Sequence, residues 1–148
     1  MYQAIIDGDT EVISTQISDV LMSTISYYDS RTEAFYHGLM AGILQNMNNY
    51  YLKSNQESGN GRPDLIVRYN SLRGIAVIME FRYSKRYLDM EKDADVALEQ
   101  IEKERYDERL RQEGYQNIVK YGLAFYRKEC LVKKLRMYLC ENQYFDEI

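Results

Sequence analysis

Apolar residues recur at helical spacing over residues 11–26, where Ile13, Ile17, Leu21 and Ile25 form one stripe filled in by Val20. The pattern predicts an amphipathic helix with Asp9 or Thr10 as its cap. Residues 31–46 predict a second helix, capped by Thr32 and built on Phe35, Leu39, Ile43 and Leu44. Its small residues Gly38, Ala41 and Gly42 suit close approach to a neighbour, and the asparagines from Asn46 to Asn49 end it. At Tyr50 the period becomes extended. Residues 50–53 and 65–69 predict strands on either side of a polar stretch, 54–61, that holds two glycines. Residues 74–81 carry Ile75, Ala76, Val77 and Ile78, a run suited to a strand buried on both faces. A long charged helix is expected over residues 92–112, with Ala94, Ala97, Leu98, Ile101 and Leu110 inward and Gly114 closing it. Two last strands, 118–126 and 130–138, join through Arg127-Lys128-Glu129.

The expected order is helix, helix, three strands, helix, two strands. A helix between the third and fourth strands requires a crossover, so the fold class is α/β, a mixed central sheet flanked by helices. At 148 residues, 45% hydrophobic and 28% charged, the chain suits one domain around one core. No run approaches the ~18 apolar residues of a membrane span. The first ten residues lack the basic and apolar regions of a signal peptide. Cys130 and Cys140 are too few for a disulfide framework and lack metal-ligand spacing, which fits reduced thiols and a cytoplasmic address. A single histidine makes His-rich zinc sites and Ser-His or Cys-His arrangements hard to build.

The one proline, Pro63, precedes Asp64 where the polar stretch turns into a strand, and Glu80-Phe81-Arg82 ends the most hydrophobic strand. Alternation places Glu80 and Arg82 on one face and Phe81 on the other. A hairpin of these two strands would set Asp64 beside Glu80, with Arg82 adjacent. Two neighbouring carboxylates repel unless a cation lies between them, and Mg²⁺ takes one or two carboxylates together with water and phosphate. Such an ion lowers the pKa of bound water and neutralises charge on a phosphate under attack. These are the parts of a metal-dependent phosphodiesterase; read minimally, Glu80 and Arg82 form a surface ion pair.

Pro63-Asp64 followed by Glu80-Phe81-Arg82 resembles the PD-(D/E)XK nuclease superfamily, whose motif is proline-aspartate, then aspartate or glutamate, one residue, and lysine. Four further segments resemble the branch that commonly follows an AAA-type ATPase-like domain in bacterial proteins. They are Glu33-Ala34-Phe35-Tyr36-His37-Gly38, the stretch from Ser54 to Arg62, Gln100-Ile101 with Tyr106, and Tyr121-Gly122-Leu123-Ala124-Phe125. The resemblance implies a restriction-endonuclease-like core (helix, three strands, helix, strand) over residues 30–138, with residues 1–29 as an N-terminal helical extension. It implies hydrolysis of DNA phosphodiester bonds with Mg²⁺ or Mn²⁺, RNA being the other substrate to consider. By the same resemblance Asp64 and Glu80 are the metal-binding carboxylates, and Glu33 is an additional acid aimed at the metal or its waters. Gln100 holds a position that reaches the site or the nucleic acid, and Tyr106 accompanies it. An ATPase domain or subunit is the implied partner; the chain itself contains no G-x-x-x-x-G-K-[ST] run. The apolar first helix is a candidate homodimer surface.

Two positions depart from the pattern. Gln56 stands where the branch often has arginine, and Arg82 stands at the catalytic lysine. Arginine clamps a phosphate but does not deprotonate at usable pH. Lys103 and Lys85 are the lysines that could stand in. The alternative is a catalytically degenerate nucleic-acid-binding or regulatory interaction domain of the same fold. Gln100 and Tyr106, six apart, do not share a face of a regular helix, so Tyr106 reads as packing. His37, one turn after Glu33, reads as a hydrogen-bonding residue.

Charge is unevenly spread. The net value is −4, yet the segment from Arg62 to Lys92 holds seven basic residues against four acids. A basic segment around a carboxylate pocket suits a phosphate backbone. Arg62, Lys85, Gln100 and Lys103 are the candidate nucleic-acid contacts, with Tyr83 and Tyr87 as stacking surfaces. From Glu91 to Glu113 there are nine acids, which turns the outer face of the long helix away from nucleic acid.

Overall fold

The computed structural model describes residues 1–24, 32–54, 61–140 and 143–147, with backbone alone for Ser54, residues 136–140 and residues 143–147. Helices α1 (Tyr2–Asp7), α2 (Thr10–Thr24) and α3 (Glu33–Leu44) come first. Thr32 starts α3 from an extended backbone, its side chain accepting the Phe35 N–H. Strands β1 (Tyr50–Ser54), β2 (Leu65–Tyr69) and β3 (Ile75–Tyr83) follow, then a 3₁₀ turn (Tyr87–Asp89) and helices α4 (Met90–Lys103) and α5 (Glu108–Glu113). Strands β4 (Asn117–Tyr126), β5 (Glu129–Cys140) and β6 (Gln143–Glu147) complete the chain. All six strands lie in one sheet in chain order. Every neighbouring pair is antiparallel except β3 and β4, which run parallel across the α4–α5 crossover. The class is the expected one: a mixed α/β sheet with helices on its faces, a restriction-endonuclease-like core.

Strand alternation divides the sheet into two apolar faces. Val67, Val77, Met79, Val119, Tyr121 and Leu123 pack with Ile5, Ile13, Ile17, Leu21, Met40 and Leu44 of α1–α3. On the other face Ile66, Ala76, Ile78 and Ile118 meet Ile101, Tyr106 and Leu110, and Ala124 meets Met90 and Ala94. The central strands are therefore buried on both sides, as their unbroken apolar runs require. Helix α4 presses hard on β4. A Cβ on Gly122 would come within 2.3 Å of the Ala94 carbonyl oxygen and 3.0 Å of Leu98 Cγ, so any side chain there would lift the helix off the sheet.

The long helix expected over residues 92–112 is two helices. The chain leaves α4 after Lys103, passes through Arg105 at φ 54°, and re-enters a helix at Glu108. No glycine or proline marks the break. Helix α1 and strand β6 are additions that the pattern did not anticipate: six- and five-residue elements are too short to show a period. The expected end of the first helix at 25–26, the start of the second at Arg31, and the family-like stretch 55–60 with Gln56 lie outside the described residues. Cys130 is buried, and burial pushes its thiol well up, which makes it unreactive. Among the described residues no helix is long and apolar enough to cross a membrane.

Candidate active site

The β2–β3 ladder ends at Leu65 opposite Met79. Beyond it stands Pro63, which has no N–H to contribute. Two backbone donors left over at the end of the hairpin are taken by side chains. Asp64 Oδ2 accepts the Phe81 N–H at 2.8 Å, and Glu80 Oε2 accepts the Asp64 N–H at 3.3 Å. Each carboxylate thus caps the strand that carries the other, which holds the two side by side.

That arrangement is electrostatically costly. Glu80 is 7% exposed, and burial, then the Asp64 charge, pushes its carboxyl up to about 8. Asp64 is raised too, because burial outweighs the Phe81 N–H, His37, Glu80 and Arg82, which pull it down. Asp64 has the shorter backbone hydrogen bond, so the proton that the pair retains near neutrality resides on Glu80.

Arg82 follows on the same face of β3. One of its terminal nitrogens donates to Gln100 Oε1 at 2.5 Å. Its Nε is buried with no hydrogen-bond partner among the described residues. Gln100 in turn donates through Nε2 to the Tyr106 hydroxyl at 3.2 Å. Tyr106 packs as expected, in the core beneath α4, and its hydroxyl in addition enters the site, which the pattern does not show. Its ring is buried, but the break after Lys103 takes it out of helical phase and brings its hydroxyl to Gln100.

Helix α3 forms the opposite wall. His37 Nε2 donates to the Asp64 carbonyl at 3.1 Å and its ring lies edge-on to Phe81, 6.0 Å between centroids. Tyr83 donates to the Glu33 carbonyl at 3.3 Å and stacks near Phe125; burial and nearby carboxylates raise its phenol well above the ordinary range. Asp93, in the first turn of α4, accepts from Ser84 Oγ at 2.7 Å. Together Glu33, Ala34, His37, Asp64, Glu80, Phe81, Arg82, Tyr83, Asp93 and Gln100 line an open cleft of about 630 Å³. Asp93 was not singled out from the sequence, although it lies two helical turns before Gln100, a spacing that puts both on one face.

Other expected residues lie elsewhere. Arg62, Lys85 and Lys103 are exposed and do not line the cleft, so neither lysine takes the place that Arg82 occupies. The basic segment is not one surface either. Arg68 is held by Glu113 at 2.9 and 3.2 Å, and Arg86 by Asp89 at 3.0 and 2.9 Å. Among the described residues that line the cleft, Arg82 is the one Arg or Lys, against Glu33, Asp64, Glu80 and Asp93.

A family model of the PD-(D/E)XK nuclease superfamily matches residues 31–135, from just before α3 into β5. The chain belongs to the PD-(D/E)XK nuclease superfamily. No curated protein and no solved structure matches it. Membership in this superfamily implies a nucleic-acid substrate and, as is usual for its nucleases, a divalent metal. Among the described residues no group of three His, Cys, Asp or Glu side chains converges on one metal position. Asp64 and Glu80 do meet. A hard cation such as Mg²⁺ needs only one or two carboxylates, the rest of its shell being water and phosphate. The donor chemistry of this PD-(D/E)XK protein thus fits a divalent cation, while an excess of buried carboxylate disfavours the empty pair.

Proposed function

We propose that this PD-(D/E)XK protein hydrolyses DNA phosphodiester bonds, with Asp64 and Glu80 holding Mg²⁺ or Mn²⁺. The observation that carries the reading is the mutual capping of Asp64 and Glu80 at the hairpin end, beside an Arg82 whose buried Nε has no partner among the described residues. A divalent ion bound there would acidify a water and neutralise charge on the phosphate. The remaining work falls to the chain. Arg82, tethered by Gln100, offers Nε and its other N–H groups to phosphate oxygens in the bidentate geometry of guanidinium. It cannot take a proton from the attacking water. Glu33, on the α3 wall, is the carboxylate assigned to receive it. Attack by the water forms the new P–O bond, the P–O bond to the leaving sugar oxygen breaks, and that oxygen takes up a proton from solvent water in the open cleft.

A second reading, a degenerate domain that binds nucleic acid or regulates without cutting, is favoured by arginine at the lysine position. Charge speaks against it. The described lining of the cleft, four acids and one arginine, repels phosphate unless cations are present. The decisive experiment incubates the protein with plasmid, single-stranded DNA and an RNA oligonucleotide, in Mn²⁺ or in EDTA. Metal-dependent DNA cleavage that Asp64→Ala abolishes supports the enzyme. No cleavage of any substrate, with no heat of Mn²⁺ binding by calorimetry, overturns it. The branch resemblance adds an ATPase domain or subunit as partner, and the apolar α2 adds a homodimer, which sedimentation of the free protein tests.

A further inference from the structure

Lys120 lies in β4, wholly buried, paired across the ladder with Ile78 on the face that α4 covers. Its Nζ pairs with Glu102 Oε1 and lies 3.5 Å from Asp107 Oδ2. Arg111 also pairs with Asp107. The two carboxylates stand on either side of the α4–α5 break: Glu102 in the last turn of α4, Asp107 just before α5. A buried amino group is costly unless it is paired and hydrogen-bonded. The buried Asp107 carboxylate and the exposed Glu102 carboxylate both turn to this one nitrogen, and the backbone between them turns. Arg105 accordingly sits at φ 54°, a left-handed conformation that costs a residue with a Cβ.

The turn has a consequence at the cleft. On an unbroken helix Tyr106 would be about 120° around the axis from Gln100. In the broken one its hydroxyl meets Gln100 Nε2, so the amide oxygen at the other end of Gln100 is presented to Arg82. The same ring borders the loop that leads to Asp64, since a Cβ on Gly61 would lie 3.4 Å from its hydroxyl.

We infer that Lys120 is a positioning residue for Arg82, acting through the helix break, Tyr106 and Gln100 to fix the guanidinium. The inference rests on the reading of Arg82 as the phosphate-binding group, but its geometric content can be tested without cleavage. The ¹⁵N–¹H signals of the Arg82 guanidinium are followed in the intact protein and in Tyr106→Phe, Lys120→Met and Lys120→Gln. Loss of the relay is expected to shift the Arg82 Nε–H signal and speed its exchange in Tyr106→Phe and Lys120→Met. Lys120→Gln, which keeps a donor for the carboxylates, is expected to restore the signal towards its original position. If Lys120→Met does not fold, Asp107→Asn weakens the same pull without stranding an anion and is read in its place. In a protein that cleaves DNA, Lys120→Met or Asp107→Asn lowers kcat by about 10- to 100-fold, the scale of a 1 Å misplacement. That loss is expected to vanish in an Arg82→Ala background, whereas a general loss of structure would persist there. Unchanged Arg82 signals in folded Tyr106→Phe, or in the folded Lys120 or Asp107 variant, overturn the inference. Shifted signals in a protein that cuts nothing support the relay and overturn the nuclease reading instead.

Discussion

Glu80 and Lys120 occupy the same face of the sheet, Glu80 beside Gly122 and Lys120 beside Ile78 in the β3–β4 ladder, yet their surroundings are charged in opposite ways. Around Lys120 the signs balance: Glu102 and Asp107 are met by Lys120 and Arg111, and the cluster closes against α4 and α5. Around Glu80 they do not. The Asp64 charge acts on it, both carboxyls are raised, and the buried Nε of the adjacent Arg82 has no partner among the described residues. The balanced cluster holds a helix break in place. The unbalanced one opens into a cleft, where a bound cation would offset its charge. Lys120 and Asp107 are as buried as Glu80, so burial alone does not distinguish the two clusters; the degree of compensation does.

Lys120→Met strips the balanced cluster of its central cation and leaves Asp107 buried beside Arg111 alone. We expect a loss of about 3–5 kcal/mol in urea denaturation; a loss below that of an ordinary surface substitution would mean that the cluster is not balanced by Lys120. On the cleft side the effect is on chemistry. Asp64→Asn keeps an acceptor for the Phe81 N–H but removes a charge, so kcat for metal-dependent cleavage should fall by roughly 10²–10³-fold, with little change in melting temperature. Comparable losses of stability and activity would place Asp64 with the structural cluster.

Protonation sharpens the contrast. Glu80 keeps its proton up to about pH 8 in the folded protein, against 4.5 for an ordinary glutamate. Between these values the folded state binds more protons than the unfolded state, so wild-type stability should fall as pH rises, by at most about 1.4 kcal/mol per pH unit. Glu80→Gln, which mimics the protonated acid, should flatten that slope and be the more stable protein at pH 8 in EDTA while matching wild type near pH 5. Parallel pH profiles for the two proteins would show that Glu80 is not the proton holder. The smallest effect belongs to an exposed group of ion pairs. Lys133 lies 2.9 Å from Asp95 and 3.4 Å from Glu91, and Lys133→Ala should change unfolding free energy by only about 0–1 kcal/mol.

Much of the fold is legible in the chain. The apolar run at residues 74–81 announces a doubly buried strand. The helix between the third and fourth strands announces the parallel pair. The short elements α1 and β6 are illegible for want of periods. Half of the site is legible for the same local reason: Asp64 and Glu80 bracket a hairpin, and hairpin register is a matter of alternation. The relay is not. Gln100 and Tyr106 look incompatible on any regular helix, and the break that joins them carries no glycine or proline.

Charge shows the same division. Along the chain, residues 62–92 read as one basic segment; in space Arg68 is held by Glu113, Arg86 is held by Asp89, and Arg82 alone among them lines the cleft. Order of elements, sheet class and the carboxylate pair follow from period and spacing, because neighbouring backbone geometry repeats along a strand or helix. Which charges are compensated, where α4 stops, and which way Arg82 is held depend on partners 18 or more residues away (Arg82 with Gln100, Lys120 with Glu102). Electrostatics and desolvation act through space, and no local pattern encodes them.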